Sequence, residues 1–365
     1  MRKIGLYGGA FNPPHNEHVA VLNSAKKELN LDFCIVFPSF DPPHKNTTSS
    51  VSFESRMEMC SLAFKDAIIS DIEKNSLEKN YAVNTVKKFQ ELYPEDKLVY
   101  VIGGDSMADL FKWYQPETLL SMVDIAVYPR EGRIEDMNEA INKAREVGGN
   151  ITVLSYVGEN ISSREIRALA SLGFDISDIV PREVSDYVCK NALYKNEYVD
   201  IVKANLPQKT VDHVFRTVKW ALRLNRNLGL SVEDVFLATL FHDITKKTDT
   251  TSGVPEDAIS TPVAHQFSGA EYAKRLGFND KVVQAIRYHT TGREDMTTLE
   301  KLVYVADMTE EGREFDGVEK LRSALLFDFE KGFVECLNHS YEYLVNKGEN
   351  IYYLTKNAYE YYKNR

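Results

Sequence analysis

The residues best equipped for chemistry fall into two separate groups. The first is Gly8-Gly9-Ala10-Phe11-Asn12-Pro13-Pro14-His15-Asn16-Glu17-His18, which follows a short apolar run. Glycines there let the backbone approach a ligand closely. A helix opening near His15 would offer free N–H groups and a positive dipole end to a phosphate. His15 and His18, three apart, would project from one turn toward the same anion and donate charge-assisted hydrogen bonds. The same residues also allow a plain turn carrying two surface histidines. In Ile161-Ser162-Ser163-Arg164-Glu165-Ile166-Arg167, either serine can cap a helix start. Arg167, one turn on, can reach the same phosphate.

The second group is a histidine and carboxylate series: His213, His242-Asp243, His265, His289 and Asp307. His242-Asp243 follows the apolar run Val235–Phe241, and Asp307 ends the apolar run Leu302–Ala306. Imidazole and carboxylate ligands drawn from several helices suit two adjacent divalent ions, Fe, Mn or similar. An adjacent His-Asp pair allows the carboxylate to bridge two metals. A lone histidine on an apolar helix reads as a core residue, but six ligand types in this order read as a site. Lys246 is either a phosphate holder or an exposed charge, and Arg287 and Arg313 are weaker candidates. Thr290–Gly292 either bounds a nucleotide pocket or makes a turn. His339 has no evident partner.

The elements that must position these residues differ between the halves. Strand signals at Lys3–Tyr7, Phe33–Pro38, Ala67–Ile72, Leu98–Ile102, Ile125–Tyr128 and Ile151–Leu154 alternate with helices at Glu17–Leu29, Phe53–Phe64 and Ala82–Leu92. Such alternation predicts α/β architecture with a doubly wound parallel sheet. After Tyr194, helices follow one another: Val211–Leu228, Val232–Phe241, Ser268–Leu276, Asp280–His289, Leu299–Glu310, Gly317–Asn346 and Tyr352–Lys363. This predicts an all-α second domain, with a polar linker at Lys190–Glu197. The domains are expected at 1–195 and 196–365.

Composition narrows the partners. The 365 residues carry 44 basic and 54 acidic side chains, net −10. Splitting after residue 195 leaves 22 basic against 28 acidic before it and 22 against 26 after it, so neither half is a basic nucleic-acid module. No apolar run approaches the roughly 20 residues of a membrane span, and the opening segment does not read as a signal peptide. Four dispersed cysteines without CxxC spacing point to a reducing cytoplasm rather than a disulfide framework. A homo-oligomer stays open.

Together, the histidine pair and the Ser-Ser-x-x-x-Arg patch resemble the HxGH and ISSTxxR signatures of the nucleotidylyltransferase superfamily. Further matches narrow the resemblance, over about 1–195, to nicotinate-nucleotide adenylyltransferases. They are Pro42-Pro43-His44-Lys45, Arg56, Tyr81 with Thr85, Gly103-Gly104-Asp105-Ser106, Trp113-Tyr114, Val127-Tyr128-Pro129-Arg130 and the tail Ile176–Tyr194. The resemblance implies a Rossmann-like fold, and transfer of adenylate from ATP to nicotinate mononucleotide with release of pyrophosphate. Mg2+ would accompany ATP. It implies ATP-binding roles for Gly8, Gly9, Phe11, His15, His18, Lys45, Asp105, Ser162 and Arg167. His15 and His18 would be catalytic, Trp113 would stack on the pyridine, and Thr85 would lie beside its carboxylate.

Two departures stand out. Glu17 occupies the family's glycine position, and Asn12 replaces a commoner Asp. An inward carboxylate would repel phosphates, which raises an alternative: a damped nucleotide-binding regulatory module on an active hydrolase.

The second group resembles HD-domain phosphohydrolases. Its surroundings are Phe241-His242-Asp243-Ile244-Thr245-Lys246, Gly269-Ala270, Ile286–Gly292, Tyr304–Asp307 and Glu310–Arg313. They are similar to the YqeK-type symmetrical bis(5′-nucleosyl)-tetraphosphatases. This implies a helical HD bundle in which Asp243 and Lys246 serve catalysis. The implied reaction is two-metal hydrolysis of diadenosine tetraphosphate to two ADP.

Overall fold

The structure is a computed structural model that describes residues 1–40, 51–74, 79–129, 134–158 and 161–364. It divides into two compact units, Met1–Lys195 and Asn196–Arg365.

In the first unit, strands β1 (Lys3–Gly9), β2 (Phe33–Pro38), β3 (Ile68–Ile69), β4 (Lys97–Gly103), β5 (Asp124–Tyr128) and β6 (Ile151–Val153) form one parallel sheet ordered 3-2-1-4-5-6. The helices are α1 (Asn16–Glu28), α2 (Phe53–Ala63), α3 (Ala82–Leu92), α4 (Gly104–Ala108), α5 (Pro116–Met122), α6 (Ile134–Glu146), α7 (Ser163–Ser171) and α8 (Arg182–Lys190). The expected α/β sheet is present. Ile4, Leu6, Ile35, Val99, Val101, Ile125 and Val127 are buried, as strands of a sheet covered on both faces must be. The order reverses between β1 and β4, so the loops leaving their carboxyl ends flank the crevice where such sheets bind ligands.

Two expectations change in this unit. The strand expected over Ala67–Ile72 shrinks to Ile68–Ile69, an edge strand with Ile68 half exposed. Helix α6 was not anticipated, although Met137, Ala140, Ile141 and Ala144 bury one face at helical spacing.

The second unit is helical among its described residues: α9 (Glu197–Asn205), α10 (Gln208–Leu228), α11 (Val232–Phe241), α12 (Ala264–Arg275), α13 (Asp280–Arg287), α14 (Thr298–Thr309), α15 (Val318–Phe327), α16 (Phe329–Lys347) and α17 (Tyr353–Tyr362). Its bundle core includes Val214, Val218, Ala238, Phe241, Ile286, Leu302 and Val305. The single helix expected over Gly317–Asn346 is two. Asp328 leaves helical backbone (φ −146°, ψ 102°) and its side chain accepts from Lys331 N–H, capping α16 afresh. The hairpin then closes so tightly that a Cβ on Gly332 would lie 2.6 Å from Leu325 N. The polar stretch read as a linker gives way at Asn196, which caps the unanticipated α9 by accepting from Tyr198 N–H at 2.9 Å. Among the described residues no helix is long and apolar enough to cross a membrane.

Candidate functional site

In the first unit the candidate loop is 10–14, between β1 and α1. Three basic or hydroxyl side chains from distant elements hold its carbonyls. Arg56 donates to Ala10 O (2.9 Å), Arg167 to Asn12 O (2.7 Å) and Ser163 to Pro13 O (3.1 Å). The Tyr194 hydroxyl donates to Asn12 Oδ1 at 2.9 Å. Burial pulls both guanidiniums below their usual range, yet arginine stays charged. The loop thus receives two cations without a carboxylate among these four partners, a setting that favours an anion.

His15 is the N-cap of α1 and is buried, and its ring stacks on His18 at 3.6 Å between centroids. The His15 N–H donates to His18 Nδ1 at 3.2 Å. In a neutral His18 the proton therefore sits on Nε2, which makes that atom a donor. The two rings come together as their spacing implied. Ser162 caps α7 by accepting from Glu165 N–H, while Ser163 turns to the loop.

The remaining positions vary. Asp105 is exposed in the first turn of α4, just past the carboxyl end of β4. Trp113 is partly buried and packs on the sheet core, and Tyr81 stacks on Tyr114 at 4.6 Å. Thr85 is buried and donates to Glu73 Oε1 at 3.0 Å. Glu73 also accepts from Phe40 N–H at 3.1 Å, and burial pushes its carboxyl up. Nothing in the local sequence marked Glu73. Lys45 and Arg130 lie outside the described residues.

Glu17 does not sit idle. Its Oε2 accepts from the Tyr156 hydroxyl at 2.9 Å, and a Cβ on Gly158 would come within 2.4 Å of that oxygen. The carboxylate is lodged against the segment leaving β6.

The second unit gathers all six predicted ligand residues. His213 comes from α10, His242 and Asp243 from just past α11, His265 from α12, His289 from just past α13, and Asp307 from α14. Asp243 is fully buried at the centre. Its Oδ2 lies 3.7 Å from His213 Nε2 and 3.6 Å from His242 Nε2. Its Oδ1 lies 3.3 Å from His265 Nε2 and 3.6 Å from His289 Nε2. Asp307 Oδ1 lies 3.0 Å from His213 Nε2 and 3.8 Å from His242 Nε2. Two subsites thus share one carboxylate: His213, His242 and Asp307 on one side, His265 and His289 on the other.

The outer ring nitrogens decide what the inner ones can do. His242 Nδ1 faces Thr239 O (2.6 Å), His265 Nδ1 faces Pro262 O (2.9 Å) and His289 Nδ1 faces Ile286 O (2.7 Å). His213 Nδ1 faces Glu310 Oε1 at 3.1 Å. Acceptors at every Nδ1 place the protons there and leave each neutral ring a lone pair on Nε2. Those lone pairs face each other, 3.4 Å apart for His213 and His242 and 3.2 Å for His265 and His289. Asp243 Oδ1 is buried and accepts no hydrogen bond among the described residues. Converging lone pairs with no proton between them fit divalent cations, and the imidazole–carboxylate mixture suits ions of the Fe or Mn type.

Ionisation within the cluster is strongly shifted. Burial holds His242 down to about 4, so it is a neutral donor. Burial also opposes ionisation of Asp243 and Asp307, but the surrounding imidazoles outweigh it and hold both carboxyls well below their usual range. For His213 burial is outweighed by Asp307 and Glu310, which raise it. Lys246 Nζ donates to Asp243 Oδ2 (2.7 Å) and Arg313 Nη2 to Asp307 Oδ1 (2.6 Å), so both cations border the first subsite. Arg287 instead covers the Phe267 ring at 4.9 Å, and His339 lies against Phe315. In the sequence Glu310 stands out only as part of the run Glu310–Arg313. Its partnership with His213, 97 residues away, had no local signal.

Comparison with known proteins follows the same division. The Cytidylyltransferase-like family model matches residues 6–169 and the HD domain model residues 210–312. A Geobacter sulfurreducens protein named probable nicotinate-nucleotide adenylyltransferase is 32% identical over 214 residues, spanning 53% of this chain and 99% of the relative. A Mycoplasma genitalium protein named probable nicotinate-nucleotide adenylyltransferase/Ap4A hydrolase is 27% identical over 326 residues, spanning 86% of this chain and 88% of the relative. A Clostridium acetobutylicum crystal structure, described as a predicted HD superfamily hydrolase involved in NAD metabolism, is 30% identical. It covers 46% of this chain and 96% of its own, with a TM-score of 0.42.

Proposed function

Since the chain belongs to the nicotinate-nucleotide adenylyltransferase family and carries an HD domain in its second half, we propose that it is a bifunctional enzyme. Residues 1–195 transfer adenylate from ATP to nicotinate mononucleotide. Residues 196–365 hydrolyse diadenosine tetraphosphate to two ADP.

In the transfer reaction a phosphate oxygen of the mononucleotide attacks the α-phosphorus of ATP. The new O–P bond forms as the bond to the β-phosphate oxygen breaks, and pyrophosphate leaves. No covalent enzyme intermediate is needed, so placement and charge stabilisation carry the rate. His18 Nε2 and His15 act on the phosphates at the N-terminus of α1, with Gly8, Gly9 and Phe11 lining the approach. Lys45 and Ser162 assist there. Arg167 both braces the 10–14 loop and adds positive charge. Asp105 accepts from ribose hydroxyls, Trp113 stacks on the pyridine, Thr85 borders its carboxylate, and Mg2+ accompanies ATP. The lodging of Glu17 against Tyr156 supports an active site over a damped one.

For hydrolysis, His213, His242, Asp243 and Asp307 would hold one divalent ion, and Asp243, His265 and His289 a second. When bound, such ions supply an acidified water nucleophile and neutralise charge at the phosphorus under attack. Water adds to a phosphorus, a bridging P–O bond breaks, and each product keeps one side of it. Lys246 and Arg313 stand where they can pair with polyphosphate oxygens. The observation that carries this half is the set of Nε2 lone pairs converging on one buried carboxylate. Four free cysteines, three of them buried, suit a reducing cytoplasm.

The test is direct. Protein incubated with ATP and nicotinate mononucleotide should release pyrophosphate and form the dinucleotide. With diadenosine tetraphosphate and Fe2+, Mn2+ or Co2+, it should yield ADP alone. No pyrophosphate in the first assay overturns the transferase assignment. No ADP with any of the three ions overturns the hydrolase assignment.

A further inference from the structure

The two metal subsites are unequal on the six-ligand count. The first has His213, His242, Asp307 and one oxygen of Asp243, whereas the second has only His265, His289 and the other oxygen. The structure offers a fourth donor there. Thr290 Oγ1 lies 3.0 Å from His289 Nε2 and 3.2 Å from His265 Nε2. We propose that the Thr290 hydroxyl is a ligand of the second divalent ion, an inference that rests on the two-ion reading above.

Proton counting favours this. Both imidazoles carry their hydrogen on Nδ1, facing Pro262 O and Ile286 O, so both Nε2 atoms are acceptors. One hydroxyl has one proton and can satisfy only one of them. The remaining Nε2, the hydroxyl lone pairs and Asp243 Oδ1 would then confront one another. A cation resolves all of these contacts at once.

The spacing agrees. Nitrogen and oxygen ligands about 2.1 Å from one ion sit roughly 3.0 Å apart at octahedral angles and about 3.4 Å apart at tetrahedral ones. Five of the six distances among these four donors are 3.0 Å (Thr290–His289), 3.2 Å (Thr290–His265 and His265–His289), 3.3 Å (Asp243–His265) and 3.6 Å (Asp243–His289).

Thr290 is also held in place. Gln266, fully buried and adjacent to His265, accepts at Oε1 from the N–H groups of Thr290 and Thr291, both at 3.2 Å. Its Nε2 donates to Thr291 Oγ1 at 3.1 Å. One buried amide therefore ties the His265 helix to the segment after His289. This pre-organises the hydroxyl between the two rings.

The experiment titrates chelator-stripped full-length protein with Mn2+, alone. Calorimetry counts the ions, and electron paramagnetic resonance separates an exchange-coupled pair from an isolated six-line ion. Wild type should bind two coupled ions. T290V should keep one at wild-type affinity, bind the second at least tenfold more weakly and lose the coupled spectrum. T290S should restore both. T290A asks the same question should the valine disturb folding. Two ions bound by T290V or T290A within twofold of wild type overturn the proposal, as does equal weakening of both ions or failure of serine to rescue. Wild type binding fewer than two ions overturns the two-ion reading and this assignment with it.

Discussion

Glu310 should control metal affinity without touching the metal. Its side chain is almost fully buried and accepts from four donors. They are His213 Nδ1 (3.1 Å), Arg216 Nε (2.6 Å), Arg216 Nη2 (3.2 Å) and Gly312 N–H (2.5 Å). These hold its carboxyl down to about 2 even though burial pushes the other way. The carboxylate fixes the His213 tautomer and makes Nε2 a stronger donor. Replacing it with glutamine keeps shape but removes the charge, and turns an NH2 toward at least one donor. Losing such an outer partner costs typically 10–100-fold in metal affinity. That is about 1.4–2.7 kcal/mol. The loss should fall on the first subsite, because the His265 and His289 rings are anchored by backbone carbonyls instead. Mn2+ titration of Glu310→Gln by calorimetry reads this directly. Affinity within twofold of wild type at both sites would refute the reasoning. Equal weakening of both would show that Glu310 supports the bundle as a whole rather than one ligand.

Three further outcomes are expected. Asp243→Ala should abolish tetraphosphate hydrolysis and spare adenylyl transfer, while His18→Ala should do the reverse; parallel assays giving equal loss of both activities in either variant would rule out two separate sites. Glu17→Gly should change kcat/KM for ATP by less than about tenfold, ~1.4 kcal/mol. An inward charge ~6 Å from a phosphate would cost roughly 2–3 kcal/mol at an effective dielectric of ~20, so a hundredfold rise would revive the damped-module alternative. Burial raises the Glu73 carboxyl, against the pull of Phe40 N–H, Thr85, Lys88 and Arg56. The folded state thus holds a proton the unfolded chain has released, and stability falls as pH rises from the unfolded value, ~4.3, through the folded one. Glu73→Gln cannot ionise, so its melting temperature relative to wild type should be more favourable at pH 7 than at pH 4; a pH-independent difference would contradict this.

Much of the fold was legible because the signals were local. The alternation of apolar runs with amphipathic helices announces a parallel sheet, and β2 and α3 begin and end where their patterning does. The break at Asp328 was hidden because Phe327 and Phe329 flank it, keeping the stretch apolar and helix-like while a capping side chain stops it. In the metal cluster, residue types and order were readable, and the helices carry all six to one point. What the sequence could not display were contacts closed by packing rather than by local pattern: Glu310 to His213, 97 residues apart, Tyr156 to Glu17, 139 apart, and Thr85 to Glu73 on the segment before α3. Each is an ordinary polar residue whose meaning depends on the partner that packing brings to it.

The Tyr156–Glu17 contact shows how such a partner changes the reading of a departure from family pattern. A carboxylate at the second position of a helix gains from the dipole, about 0.3–1 kcal/mol, but that alone leaves its rotamer open toward the phosphates. A hydroxyl donor at 2.9 Å supplies a competing fixed point. A hydrogen bond to a charged acceptor contributes about 1.5–3 kcal/mol, comparable to the repulsion an inward rotamer would meet. The hydrogen bond holds the carboxylate on Tyr156, and the repulsion would oppose its turning toward a phosphate. The contact also needs Gly158, because a side chain there would occupy the carboxylate's place. Glu17 thereby links α1 to the segment after β6, the chain that runs on to Ser162 and Arg167. A bulky residue at 158 should therefore expel Glu17 from its berth and harm ATP turnover more than removal of Glu17 itself. Gly158→Val should lower kcat/KM for ATP in the wild-type background and be largely rescued by Glu17→Gly, and a double variant no better than Gly158→Val alone would defeat the argument.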